Sequence, residues 1–402
     1  MRSVSEVYST ERKLVKIAVI GSKGLPPKQG GIEHHCAELY PRIADQGHEI
    51  VLFARSSYTQ HLSQQRQYLY NGVQIRNLPS VPLRGFDALF SSGLAAVLAS
   101  KDDFDVIHFH ALGPSLFIWI PRLFTRNTQC VVTCHGLDWQ RAKWGQLSRR
   151  LIRLGETMAV RFAHKIAVVS EELETYFLKT YGKTTHYISN APAPYGKSDP
   201  KYTFSQSLGL VRGRYILFLG RLVPEKCPDL LIRAFQRLCP AGWKLVLTGS
   251  SSDTSDYTIK LKKLIDQDSN ILMTGSLYGE HLAEIVRGAG LFVLPSELEG
   301  LPLALLEAMS EGVPTIASDI PVHRHLLGSG RGLTFKVGNV DNCTAALSWA
   351  LQNPTSMGEM AEKASRYIQA NHSWDRIARD WLELYESLLT SSKVMCVSER
   401  LG

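Results

Sequence analysis

The 402-residue sequence has no CxxC pair, and its seven cysteines, Cys36, Cys130, Cys134, Cys227, Cys239, Cys343 and Cys396, are scattered and odd in number. That spacing argues against a disulfide framework and a structural zinc, and it favours a reducing compartment. Long hydrophobic runs are missing too. The longest, Leu112 to Ile120, is broken at Pro114 and falls far short of the ~20 apolar residues that span a bilayer. The opening segment MRSVSEVYSTERKLVK has no apolar core, so no signal peptide is expected, and the expected location is cytoplasmic. There is no GxGxxG after the first strand pattern, and the second strand pattern ends in Arg55 rather than an acid for a ribose, which excludes the dinucleotide fingerprint. There is no HExxH either, and no metal is expected.

What is present is ordinary globular material, 44% apolar and 20% charged, enough for two domains. The net charge of +8 is unevenly placed. Residues 1–190 carry 23 Lys and Arg against 15 Asp and Glu, whereas residues 191–402 carry 22 of each. The densest part is Arg141 to Lys165, where only Glu156 opposes seven cations and apolar residues recur at helical spacing. Such a basic amphipathic stretch suits an anionic membrane surface, a phosphate-bearing lipid or nucleic acid, and equally a solvated helix face.

Along the chain, residues 1–13 read as a tail. LVKIAVIG is a strand, SKGLPPKQGG a loop, IEHHCAELYPRIADQGH a helix and EIVLFAR a second strand, which is the opening of a parallel, doubly wound sheet. Gly30 and Gly31 at the helix start let a ligand approach backbone N–H groups closely. Two further strands, VIHF and CVVT, end in polar clusters that hold His108, His110, His135 and Asp138. Their carboxyl ends are where such sheets bind ligands. The proline- and glycine-rich segment from Asn190 marks a linker over 191–204. Beyond it the strand–helix alternation restarts, giving a first domain over 14–190 and a second over 205–372. An amphipathic helix over 373–390 then closes back on the molecule, with a tail at 391–402. The fold class is α/β, two Rossmann-like domains facing across a cleft, where ligands are expected.

Four residues in the second half could do chemistry. Arg221 and Lys226 follow its first strand in GRLVPEKCPD, and Glu299 and Glu307 flank a helix start in ELEGLPLALLEAMSEGVP. On one helix the two glutamates would be roughly 12 Å apart, too far for the ~5 Å carboxylate pair of a retaining glycosidase. Glu299 is therefore expected in the loop and Glu307 inside the helix. A helix N-terminus between them attracts phosphate, and Arg and Lys bind phosphate oxygens.

GRLVPEK followed by ELEGLPLALLEAMSEGVPTIAS resembles the donor site of retaining GT-B glycosyltransferases of family 4. GGIEHHCAELYPRIADQGHEI and HGLDWQRAKWGQLSRRLIRLGE resemble a subgroup with bacterial surface-polysaccharide rhamnosyltransferases. The resemblance covers roughly Lys16 to Leu388. It implies that Arg221 and Lys226 neutralise the departing diphosphate of a nucleoside-diphosphate sugar, helped by backbone at Gly30, Gly31 and Leu303. It further implies that Glu307 holds the ribose, that Glu299 and His135 meet the sugar, and that no metal or cofactor is needed. Asp138 and His110 are expected on the acceptor side. The implied activity is retaining transfer of a hexose or deoxyhexose, rhamnose by subgroup, to a glycan or lipid-linked acceptor. From the charge and interleaved apolar residues of Arg141 to Lys165, rather than from the resemblance, peripheral attachment to an anionic membrane surface is expected, and nucleic acid is not expected as a partner. A GT-B-like sugar-nucleotide epimerase and a non-catalytic sugar-nucleotide-binding protein are the alternatives. The DxD matches at Asp103–Asp105 and Asp266–Asp268 are read as chance. Ala191 replaces the usual hinge glycine, and EGLP replaces the family's EGFG, putting Pro302 near the first helical turn.

Overall fold

A computed structural model describes residues 14–27, 30–59, 65–81, 86–141, 144–250, 255–266 and 268–398. The tail expected over 1–13 and the segment 399–402 lie outside the described residues. The first sheet has eight strands: β1 (Lys16–Ile20), β2 (Glu49–Arg55), β3 (Gln67–Tyr70), β4 (Val73–Leu78), β5 (Val106–His110), β6 (Gln129–Cys134), β7 (Lys165–Val168) and β8 (His186–Tyr187). They run in the order β3-β4-β2-β1-β5-β6-β7-β8 and are parallel except for the β3–β4 pair. The second sheet is wholly parallel and has six: β9 (Tyr215–Leu219), β10 (Lys244–Thr248), β11 (Ile271–Gly275), β12 (Leu291–Leu294), β13 (Thr315–Ser318) and β14 (Leu333–Phe335), ordered β11-β10-β9-β12-β13-β14. The central strands read as unbroken apolar runs because both of their faces are covered by helices. In each sheet the strand order reverses beside the domain's first strand, at β1/β5 and at β9/β12. Such switch points open a crevice at the carboxyl ends of the strands.

The sequence reading did not contain the antiparallel β3–β4 edge or the short β14. Both are short, partly exposed strands whose periodicity is too brief to stand out. Residues 191–202 form no regular element and lead into the helix Thr203–Ser207, which the expected linker partly overlaps.

The helix Trp374–Ser398 returns to the first domain and packs on Gly31–Ala44. It buries Trp381 and Tyr385 completely in the core beneath β1 and β2. Truncating a buried tryptophan of this kind costs on the order of 3–5 kcal/mol. The helix continues to Ser398, into the segment expected to be a tail from 391. Two chain segments therefore cross between the domains, and they touch: Trp374 Nε1 donates to Pro192 O at 3.0 Å, and His372 Nδ1 lies 2.8 Å from Asn190 O.

Candidate active site

Between the carboxyl ends of the two sheets lies a cleft of about 700 Å³. Gly30, Gly31, His135 and Asp138 line it from the first domain, and Arg221, Lys226, Glu299, Leu303 and Glu307 from the second. His110 does not.

The second-domain wall is built from the loops after β9 and β12. The backbone N–H of Glu297 donates to Glu225 O at 2.9 Å, which ties the two loops together. Lys226 stands on a short 3-10 turn, Pro224–Lys226, and its Nζ meets Glu299 Oε1 at 2.6 Å. The Ser296 hydroxyl donates to the same oxygen at 2.8 Å. Burial alone would raise the Glu299 carboxyl, but the Lys226 ammonium and the Ser296 hydroxyl hold it below the usual range, so it is anionic. Arg221 lies beside this pair. Burial and the neighbouring Arg141 lower its pKa, while Glu225, Glu299 and Asp138 act the other way.

Pro302 caps the helix Leu303–Ser310, where Glu307 sits a turn in from the start. Glu307 Oε2 accepts a hydrogen bond from the hydroxyl of Tyr195, a linker residue, at 2.7 Å. Burial raises this carboxyl to about 7, the Tyr195 bond lowering it and Glu311 adding to the rise. The two glutamates are therefore shifted in opposite directions, Glu299 toward its anion and Glu307 toward its acid form.

On the opposite wall the helix Gly31–Ala44 points its N-terminus at the cleft, capped by Gly30 at φ 107 with no side-chain cap. Any Cβ at Gly30 would sit 2.1 Å from Glu33 Oε2. Glu33 is nearly fully buried and accepts the Lys23 N–H at 3.0 Å, bracing the glycine loop. A Cβ at Gly31 would come within 3.6 Å of Leu303 Cδ1, so the two helix starts face each other at contact range. The walls also meet at Gly300, where a Cβ would lie 1.9 Å from His135 O.

Behind His135 runs a buried polar chain. His135 Nε2 and His110 Nδ1 are 2.9 Å apart, His110 Nε2 is 2.6 Å from the Tyr40 hydroxyl, and Tyr40 reaches His108 Nδ1 at 2.9 Å. His108 in turn meets Tyr385 of the returning helix at 2.7 Å. Burial, and then the neighbouring histidines, push His108 and His110 well below the ordinary histidine range; His135 is lowered the same way by burial, His35, His108 and Arg141. All three are neutral at pH 7. His110, expected on the acceptor side, is completely buried, off the cleft lining, with its Nδ1 against His135 Nε2. Asp138 lines the cleft, but its carboxylate is paired with Arg141 at 2.9 Å. Arg141 thereby leaves the outward basic stretch and faces the cleft.

Among the described residues, His35, His110 and His135 are the one group whose ligand atoms converge, all within 4.8 Å. His35 Nδ1 contacts Asn190 Oδ1 at 2.6 Å, and His35 Nε2 is buried with no partner. A tetrahedral ion with nitrogens at ~2.0–2.1 Å would need them roughly 3.4 Å apart. The trio would have to break its His110–His135 bond and contract to hold one. Asp105, from the first DxD match, accepts the Lys16 N–H at the opposite, amino end of the sheet.

Sequence reasoning missed Tyr195, Glu33, His35 and Arg141. Tyr195 lies in a linker with no periodicity, and His35 lies on the buried face of a helix, so neither carries a local signal. The GGIE spacing could have revealed Glu33, an acid in the first helical turn after paired glycines.

Two family models match the chain, each in one domain: Glycosyltransferase Family 4 over residues 29–191 and Glycosyl transferases group 1 over residues 202–371. Among curated relatives, the D-inositol 3-phosphate glycosyltransferase of Rhodococcus erythropolis is 24% identical over 89% of this chain and 86% of its own length. Among solved structures, the sucrose-phosphate synthase of Thermosynechococcus elongatus superposes with a TM-score of 0.80 at 21% identity, over 94% of this chain and all of that one. The Anabaena HepE protein in complex with UDP and glucose gives 0.76 at 19% identity, over 93% of this chain and all of that one.

Proposed function

This chain is a GT-B glycosyltransferase of the group 1 and family 4 type that uses a nucleotide-sugar donor, and from that premise we propose that it transfers a hexose or deoxyhexose with retention to a lipid-linked or growing surface polysaccharide. The observation that carries this reading is the convergence of Arg221, the Lys226–Glu299 pair and two helix N-termini on one cleft. That arrangement suits a diphosphate leaving group. Arg221 and Lys226 take up its charge as the glycosidic bond breaks, and free N–H groups at Gly31 and Leu303 add donors.

Glu307 accepts the ribose hydroxyls and Glu299 meets the sugar ring. His135 spends Nε2 on His110, which leaves Nδ1 for the sugar or phosphate. In a same-face displacement the departing phosphate oxygen takes the acceptor proton, so positioning and leaving-group stabilisation supply the catalysis. Rhamnose is the proposed sugar from the subgroup resemblance. The site is served from the inner face of a membrane. No observation favours the epimerase or the non-catalytic reading.

The test is to incubate the protein with UDP-, dTDP- and GDP-sugars and a lipid-linked acceptor, and to assign the anomeric configuration of the product by NMR. An α-linked product from an α-linked donor supports retention. An inverted product, or donor epimerisation with no acceptor present, overturns the proposal.

A further inference from the structure

His35 stands on the helix Gly31–Ala44, completely buried and unused by the transfer chemistry. Its ring centroid lies 5.3 Å from that of His110, at the end of β5, and 5.0 Å from that of His135, in the loop after β6. The His110 and His135 centroids are also 5.3 Å apart. The three rings thus stand at the corners of a nearly equilateral triangle. Three imidazoles that share one tetrahedral ion at ~2.0–2.1 Å from a nitrogen of each have their centroids about 5 Å apart. The rings are therefore already spaced for an ion, and it is their nitrogens that must tilt to close on it.

Hydrogen bonding leaves one nitrogen of His35 and one of His110 for that purpose. Asn190 Oδ1 can only accept, so His35 Nδ1, 2.6 Å away, carries the ring proton. Burial pushes the His35 pKa down to about 4, so the ring is neutral and Nε2 is a bare lone pair, buried without a partner. A buried acceptor left in this state calls for a physical reason. His110 Nε2 is held by the Tyr40 hydroxyl at 2.6 Å, and its Nδ1 is turned to His135 Nε2. Metal-bound imidazoles have the far nitrogen fixed by a second polar group in this manner. His35 and His110 have theirs fixed already. His135 lines the cleft, so an ion reaches the trio from there. Asp138 and Arg141, also on the cleft wall, are paired with each other, and the donor set is three nitrogens without a carboxylate.

We propose that His35 Nε2, His110 Nδ1 and His135 Nε2 bind one divalent ion of the zinc, cobalt and nickel class, and that the bound ion holds the transferase inactive. Neutral imidazole selects such ions over magnesium and calcium, which take oxygen ligands. Capture breaks the 2.9 Å contact between His110 and His135 and turns the His135 ring toward the ion and away from the donor. The ion is therefore an inhibitor and not a cofactor. The inhibition rests on the transferase reading above, but the ion site does not.

The test is titration of the purified chain, stripped with EDTA and desalted, with cobalt(II), followed by its visible absorption, alongside turnover measured with added zinc. The wild type is expected to develop the visible band of one tetrahedral cobalt per chain, without the near-ultraviolet charge-transfer band of a thiolate ligand. Zinc displaces the cobalt and magnesium does not. Filling the site with zinc lowers turnover by at least about tenfold, since small misplacements of reacting groups are costly, and EDTA restores it. His35→Gln and His110→Gln, checked for folding by near-ultraviolet circular dichroism, weaken cobalt binding by more than about a hundredfold, because even a partner behind a ligand is worth 10–100-fold. His34→Gln, the adjacent ring outside the trio, binds as the wild type does. Zinc leaves the turnover of His35→Gln at that variant's own ion-free rate. The proposal is overturned if the wild type shows no visible band, if folded His35→Gln binds cobalt as tightly as the wild type, or if turnover is undiminished with the site full. A cobalt band in a chain that transfers no sugar from any donor would sink the transferase reading and leave the ion site standing.

Discussion

Lys226 and Glu299, seventy-three residues apart, are joined by a 2.6 Å ion pair in the wall of the interdomain cleft. Each is expected to meet a different part of a nucleotide sugar, yet without a ligand each is the other's partner. A diphosphate entering the cleft must share Lys226 with Glu299, and the pair holds both side chains in place before it arrives.

Removing either member should therefore damage chemistry more than folding. Lys226→Ala and Glu299→Ala are each expected to lower kcat by about 10²–10³, the usual cost of losing one preorganised electrostatic contact. Near-ultraviolet circular dichroism should stay unchanged. Glu299→Gln keeps the shape and frees Lys226, so its KM for donor should fall while kcat stays low. Near-normal turnover in Lys226→Ala would remove that residue from the leaving-group role.

Gly300→Ala tests domain closure without deleting any polar group. Its Cβ would sit 1.9 Å from the carbonyl oxygen of His135 across the cleft, and backbone cannot yield there. The walls are expected to part, with a larger radius of gyration by small-angle scattering and kcat/KM down by at least about tenfold, since small misplacements of reacting groups are costly. An unchanged radius with full activity would contradict the contact.

Glu307 should make donor binding pH-dependent. Its carboxyl is raised to about 7, and a carboxylate accepts both ribose hydroxyls where the acid form cannot. Donor Kd is therefore expected to fall as pH rises from 6 to 8, with Glu307→Gln flattening the profile. The stability effect has the opposite sign. The folded pKa lies above the unfolded value of 4.5, so the unfolded state releases this proton first and stability declines as pH climbs from there through about 7. Glu307→Gln should accordingly raise Tm at pH 8 and leave it unaltered near pH 4. Differential scanning calorimetry at the two pH values decides this.

If His135 meets the donor as proposed, His110, whose Nδ1 lies 2.9 Å from His135 Nε2, should act on the reaction through it. His110→Ala is expected to lower kcat more than it raises the donor KM, because the sugar-facing ring loses its fixed orientation. Tyr40→Phe should cost about 1–3 kcal/mol of stability, since it strands the buried Nε2 of His110, while His108 Nδ1 keeps the Tyr385 hydroxyl. Denaturant titration of Tyr40→Phe and steady-state kinetics of His110→Ala test the two statements separately.

Chelation tests the absence of a metal requirement. Turnover in excess EDTA should equal turnover in buffer alone. A loss restored by zinc and abolished by His35→Gln would instead make an ion among His35, His110 and His135 a requirement of turnover.

Much of this site was legible in sequence because its signals are local. The apolar runs of β1 and β9 end in loops that carry Gly30, Gly31, Arg221 and Lys226. The spacing of Glu299 and Glu307 around Pro302 separates a loop carboxylate from a helical one. Short-range periodicity and turn chemistry suffice for such features. His110 shows where this fails: an alternating strand puts it on a face, but burial on that face depends on Tyr40 and Tyr385, which arrive from distant helices.

By itself, then, the sequence determined two doubly wound α/β halves and singled out Arg221, Lys226, Glu299 and Glu307 as candidates, all from patterns within windows of a few tens of residues. Tertiary structure alone decided that Lys226 pairs with Glu299, that linker Tyr195 serves Glu307, that His135 rests on a buried chain of rings, and that His35, His110 and His135 converge. Those relationships join residues far apart in the chain, and packing, which no local pattern records, brings them together.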